Sequence, residues 1–157
     1  MYYLAQKIRQ LKQNRARPLI FMVVDYYLNR KMAKEKIQME FPMKSAPVAL
    51  LWEYISSTHG LELWFADEVH SEGKTYTFTW SGSSQYATLI AIRTLSYMRF
   101  RWTDDSEKTY FELRIQVSEL TDSTNLIVTD YAEHDEIEEM RDLWQSQIKT
   151  LKRVIGC

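Results

Sequence analysis

The sequence predicts an α+β fold: a curved antiparallel sheet of about six or seven strands wrapped around one long C-terminal helix, with two short helices after the first strand. Three observations carry this. Pro47–Trp52 and Gly60–Phe65 join a short apolar helix to an aromatic-rich turn. The last residues, from Ile137 to Ile155, repeat apolar side chains at helical spacing. Between these two segments the chain alternates apolar and polar residues with a period of two, the signature of half-buried strands.

The elements follow in order. Ile37, Met39 and Phe41 alternate with Gln38 and Glu40, and Pro42 ends that strand. Ser45 is placed to cap a helix, with Pro47 in its first turn, where a missing N–H costs nothing. Val48, Leu51, Trp52 and Ile55 form the apolar stripe of that helix, Ser56–Gly60 reads as a break, and Leu61–Phe65 as a second helical turn. Tyr76, Phe78 and Trp80 then alternate with Thr75, Thr77 and Thr79, β-branched and aromatic together. A turn at Ser81–Ser84 leads into a weakly patterned strand, Tyr86–Leu95. Met98, Phe100 and Trp102 alternate with Tyr97, Arg99 and Arg101. Asp104-Asp105 reads as a hairpin tip before Phe111, Leu113, Ile115 and Val117. Thr124–Tyr131 makes the last strand, with Leu126 and Val128 on one face. The closing helix carries Ile137, Met140, Trp144, Ile148, Leu151 and Ile155 on one stripe. Acids fill its first turn and Lys149, Lys152 and Arg153 its last, as the helix dipole favours, and Gly156 is suited to end it. At about 1.5 Å per residue it spans roughly 30 Å.

A chain of 157 residues fits one domain and can bury a core without staples. Its single cysteine, Cys157, excludes a disulfide within the monomer and favours a reducing compartment. The longest apolar run, Leu19–Val24, is too short to cross a bilayer, which needs about 20 residues, or to serve as a secretory core. A cytoplasmic location with no membrane span is the resulting expectation. Residues 1–36 hold nine Lys/Arg against two Asp/Glu; the remainder holds eleven against nineteen. An acidic body of this kind predicts no nucleic-acid partner. Residues 1–31 read as an N-terminal extension set apart from a domain over 32–157. Leu4, Ile8 and Leu11 lie among Lys7, Arg9, Lys12 and Arg15, and Pro18 should end that helix. Three readings stand for it: translation from an over-early start with Met32 as the natural one, a docking or dimerisation arm, or a basic membrane-surface helix.

The order of strand, two short helices, about six strands and a long helix resembles the START-like, helix-grip (SRPBCC) superfamily. Within it, the chain is similar to the branch of the C-terminal domain of the activator of the heat-shock chaperone ATPase. The residues that carry this are Pro47-Val48 and Leu51-Trp52, Gly60-Leu61 with Trp64-Phe65, Phe100-Arg101-Trp102, Thr124–Thr129, and Trp144 with Leu151. Phe41-Pro42-Met43-Lys44 and Trp64-Phe65-Ala66-Asp67 bring it closer to the uncharacterised START-like proteins of Bacteroidetes-type bacteria. The resemblance covers about residues 36–155 and nothing before Met32. It implies the fold but no single activity, since branches of the superfamily bind lipids, bind or cyclise polyketides, or touch protein partners.

For chemistry, the sequence offers little beyond an interior. His59, His70 and His134 are scattered without ligand spacing, so no metal is expected, and they read as surface residues. No nucleophile elbow, P-loop or dinucleotide fingerprint is present; no catalytic residue and no cofactor is predicted. The acids Glu133–Glu139 are explained by the helix dipole. The candidate cavity lining is aromatic: Trp64, Phe65, Phe78, Trp80, Phe100 and Trp102. Leu113, Val128, Trp144 and Ile148 complete the set. Two readings of it remain open, plain core packing or a ligand-sized pocket under the closing helix near Trp64, Trp80 and Trp144. The favoured function is non-enzymatic binding of a small apolar or amphipathic molecule in an internal cavity between sheet and C-terminal helix, with a Trp144→Ala protein that folds but loses its ligand. The alternatives are a protein-interaction, co-chaperone-like domain, and a cyclase or hydrolase using the same cavity. An enzyme would need an inward acid–base group. Asp130, Tyr76 and Glu112 are the candidates, each read as a strand-surface residue, with Asp130 sharing the Leu126/Val128 face. Arg99, Arg101 and Arg114 should face solvent unless a bulge turns one inward to hold a carboxylate.

Overall fold

The computed structural model describes residues 33–44 and 46–157. The expectations for residues 1–31 and for the Ser45 cap lie outside the described residues. The chain runs β1 (Glu35–Pro42), α1 (Val48–Ser56), α2 (Thr58–Glu62), β2 (Glu68–Glu72), β3 (Thr75–Trp80), β4 (Ser83–Arg93), β5 (Tyr97–Trp102), β6 (Phe111–Ser118) and β7 (Ser123–Ala132). A 3₁₀ turn, His134–Glu136, then leads into α3 (Ile137–Ile155). The seven strands form one antiparallel sheet in the order β1-β7-β6-β5-β4-β3-β2. Strands β2 to β7 follow one another as a meander, and β1 lies at the far side of β7, so α1 and α2 carry the chain across the inner face. This is the helix-grip arrangement that the sequence predicts.

Strand alternation sets which side chains meet α3. Phe78, Phe100, Leu113, Leu126 and Val128 point inward and are fully buried. Trp144, Ile148 and Leu151 are the buried stripe of α3 that meets them. The helix ends at Gly156, whose φ of 85° puts its N–H on the Lys152 carbonyl at 2.9 Å; glycine enters that left-handed region without a Cβ penalty.

Three local features depart from the sequence reading. Strand β2 was not expected: its Glu-Val-His-Ser-Glu sequence holds one apolar residue, Val69, buried opposite Phe78. A short edge strand needs to bury no more than that, and so leaves no periodicity to detect. Strand β4 is weakly patterned because its pairing with β5 shifts between Leu89 and Ala91, a bulge that breaks the alternation. Leu95, read as its end, lies instead in the following turn at a φ of 59°. The second helix begins at Thr58 rather than Leu61, because Ser57 Oγ accepts the Gly60 N–H at 2.8 Å and caps it.

Gly60 also explains how α2 turns so tightly on α1. A Cβ there would lie 2.4 Å from the Glu53 carbonyl oxygen and 2.7 Å from Tyr54 Cα, both backbone atoms with little freedom to move. Gly60→Ala is therefore expected to destabilise the fold by about 1–3 kcal/mol, as overpacking does. The urea midpoint would report it; an unchanged midpoint would contradict this packing.

Candidate functional site

The ten predicted lining residues come together, but their rings meet one another. The Trp64–Phe65 segment after α2 is driven into the grip of the sheet. Phe65 lies 5.7 Å from Phe111 and 5.8 Å from Trp144, stacked on both, and meets Phe78 and Trp80 edge-on at 5.1 and 5.5 Å. Phe100 stacks on Phe111 at 5.0 Å, and Trp102 on the same ring at 4.9 Å. Contacts of this length are van der Waals contacts between neighbours. Three of the indole N–H groups are also committed: Trp64 to the Tyr54 carbonyl at 2.9 Å, Trp80 to the Phe65 carbonyl at 2.7 Å, and Trp144 to Asp130 at 2.8 Å. The Phe65 carbonyl accepts a second bond from Gln147 Nε2 of α3 at 3.1 Å, tying the inserted turn to the closing helix. Phe111, at the centre of this cluster, was absent from the predicted set, although its alternation with Leu113 placed it on the same face.

The three acid–base candidates were all read as surface residues, and all three are buried. Tyr76 shares the inner face with Phe78 and packs edge-on against Phe100 at 5.0 Å; burial raises its pKa. Glu112 lies on the outer face, buried between Arg99 Nη2 at 2.7 Å and Arg114 Nε at 2.8 Å. Burial pushes its carboxyl up, but the hydrogen bonds and charges of the two arginines outweigh that and hold it below the ordinary range. Those guanidiniums in turn lie over the Tyr110 and Tyr97 rings at 4.2 and 4.1 Å. The bulge is in β4, and Arg99, Arg101 and Arg114 stay outside. Asp130 is the inward carboxylate. Its Oδ2 accepts from Trp144 Nε1, and its Oδ1 accepts from the Tyr131 N–H at 2.8 Å. Burial lifts its pKa to about 6, against the lowering effect of those two bonds and of Lys34. Lys34 itself grips Asp105 at 2.6 Å across the end of the sheet. Asp130 Oδ2 thus ties β7 to α3, while Oδ1 closes a local bond within β7. His59, His70 and His134 are exposed, as expected.

Among the described residues, open space lies beside the cluster, between β1 and the C-terminal half of α3. A groove of about 570 Å³ is lined by Phe41, Gln145, Ile148, Lys149, Lys152, Arg153 and Cys157. Phe41 and Ile148 give it an apolar floor. Its wall carries three cationic side chains and, among the described lining residues, no acidic side chain. Ile148 is the one member of the predicted set that reaches it. The basic last turn was visible in the sequence, where dipole complementarity accounted for it; what was not visible is that the open side of β1 lies against it.

The family model of the START-like superfamily domain matches residues 31–157. The chain belongs to the START-like superfamily. A protein of Bacteroides fragilis, solved by NMR, is 42% identical, with 78% of this chain and 92% of that one covered and a TM-score of 0.58. Two further solved structures share the fold at low identity. The Aha1 dimer of Colwellia psychrerythraea is 14% identical over 77% of this chain and 96% of that one, with a TM-score of 0.65. An AHSA1-like protein of Aeromonas hydrophila is 14% identical over 78% and 92%, with a TM-score of 0.63. No curated protein matches the chain significantly. Among the described residues, no helix is long and apolar enough to cross a membrane.

Proposed function

We propose that this START-like domain is a non-catalytic binding protein for a small amphipathic anion, held in the groove between β1 and α3. The observation that carries the reading is the groove's chemistry: an apolar floor of Phe41 and Ile148 beneath Lys149, Lys152 and Arg153. An alkyl chain would lie on the floor and lose contact with water, while a carboxylate or phosphate head would meet the cations in a partly desolvated setting, where charge-assisted bonds are strongest. The aromatic cluster, in this reading, is the rigid support that fixes α3 and hence the spacing of its basic residues from β1. The site departs from the internal cavity expected at Trp64, Trp80 and Trp144 and keeps the expected ligand class, sheet-to-helix position and Ile148.

Titration calorimetry of dodecanoate into the full-length protein tests it. Saturable binding is expected, weakened about tenfold or more in Lys149→Gln/Lys152→Gln/Arg153→Gln, with dodecanol binding the wild type no better than dodecanoate binds the variant. These side chains are at the surface, so the variant keeps its core. Absence of saturable binding, or binding that the variant leaves intact, would reject the groove. It would move the reading to a protein partner, for which the exposed apolar tips at Ile92, Leu95, Val117 and Leu120 offer the best surface.

A further inference from the structure

Strand β1 is one edge of the sheet, and no described residue pairs with its free side. The Met43 N–H donates to the Thr124 carbonyl at 2.8 Å, in the register that pairs Pro42 with Asn125. Bonded pairs in an antiparallel ladder alternate. The odd positions of β1, Glu35 to Phe41, therefore bond to β7, and Lys36, Gln38 and Glu40 turn their N–H and C=O groups outward. Among the described residues none takes up these groups, and all three side chains are exposed. Pro42 occupies the next outward position, where its missing N–H breaks no bond to β7 and ends any pairing along this edge. The opposite edge, β2, is a five-residue strand with acids at both ends; β1 has eight residues and pairs without a register shift, and its exposed outward-phase charges, Lys36 and Glu40, are of opposite sign.

We propose that β1 is a self-association edge, through which a second copy of this chain pairs antiparallel about a two-fold axis at Gln38. In that register Gln38 faces Gln38 of the other copy, and Lys36 faces Glu40 of the other copy, twice over. Every outward N–H and C=O at these positions gains a partner, and two opposite-charge pairs lie directly across the junction. Neighbouring registers are poorer. One residue towards the N-terminus, the axis would set Lys34 opposite Glu40, and Lys34 already holds Asp105. One residue towards the C-terminus, it would set Pro42, without a donor, opposite Lys36. On the inner side Ile37 would face Met39 of the other copy, so the apolar faces join as one sheet runs through both copies. Pairing at this edge needs no ligand in the groove.

Light scattering on the full-length chain over a concentration series, with hydrogen exchange on the same samples, tests this. The expected mass rises towards twice 18.8 kDa, and the amides of Lys36, Gln38 and Glu40 become protected together as it does. Lys36→Glu, at an exposed position, sets two like-charge pairs across the axis and is expected to raise the dissociation constant about tenfold or more. Lys36→Glu/Glu40→Lys should restore it. A chain that stays monomeric at every concentration overturns the proposal. So does a dimer in which the Gln38 amide exchanges freely, or one indifferent to Lys36→Glu, since either would assemble through another surface. Failure of the double exchange to restore pairing overturns the register.

Discussion

Trp144→Ala is expected to remove most of the stability of this domain. The indole is fully buried, stacked on Phe65 at 5.8 Å and tilted against Phe111 at 6.3 Å. Truncating a buried tryptophan to alanine costs about 3–5 kcal/mol in lost transfer energy and residual cavity. A second loss follows. Asp130 would keep only the Tyr131 N–H as donor, and a buried acceptor left short of a partner costs about 1–3 kcal/mol more. Domains of this kind hold about 5–15 kcal/mol in all. The sequence reading expected the same variant to fold and merely lose a ligand, as a pocket-lining residue would; the stacking and the bond to Asp130 make Trp144 a support of the fold instead. Urea unfolding gives the test through the midpoint at constant slope. Trp144→Phe separates the two contributions, because it keeps a stacked ring and removes the donor. A loss under about 2 kcal/mol for the alanine variant would mean that space lies beside the indole, and would return the site to the interior.

The contrast between what could and could not be read from the sequence has a physical cause. Period-two and period-3.6 patterns record which residues are shielded from water, so β3, β5, β6, β7 and α3 were legible wherever one face is buried and the other wet. β2 buries a single side chain and β4 carries a bulge, and both blur the pattern. The aromatic set was legible as inward-facing for the same reason. Whether inward rings line a space or fill it depends on distances between elements far apart in sequence, such as Phe65 to Trp144, and no local pattern encodes those. The acids show the same limit. Glu112 falls on the polar phase of β6, yet two arginines from neighbouring strand positions bury it. Asp130 falls on the apolar phase of β7 and reads as an exception until Trp144 is seen to supply its donor. The groove and the β1 edge arise from juxtaposition and from a strand side left unpaired among the described residues, which leave their mark on the sheet order and only faintly on composition.

Asp130 gives the domain a pH dependence opposite in sign to that of Glu112 and Asp105. Burial lifts its pKa from 3.8 to about 6 in the folded protein, while the unfolded chain keeps the ordinary value. The folded state therefore binds this proton more tightly. The stability linked to it is fully present below about pH 4 and is lost as pH rises through about 6. At neutral pH the charged carboxylate costs about 3 kcal/mol relative to the protonated form, by the size of the shift. Roughly half of this returns by pH 5, so the melting temperature should rise by about 3–6 °C between pH 7.5 and 5. Glu112, held low by Arg114 and Arg99, and Asp105, held low chiefly by Lys34, act the other way. Their contribution persists through that window and disappears only as pH falls through their depressed values. Asp130→Asn isolates the effect. The amide oxygen can still accept from Trp144, its NH2 then faces the Tyr131 N–H, and the ionisable group is gone. Its melting temperature should stay flat between pH 7.5 and 5, so that the variant loses ground to the wild type on acidification. A wild type without the rise, or an asparagine variant that retains it, would show that the proton goes elsewhere and that the carboxylate holding α3 to β7 is solvated in the folded state.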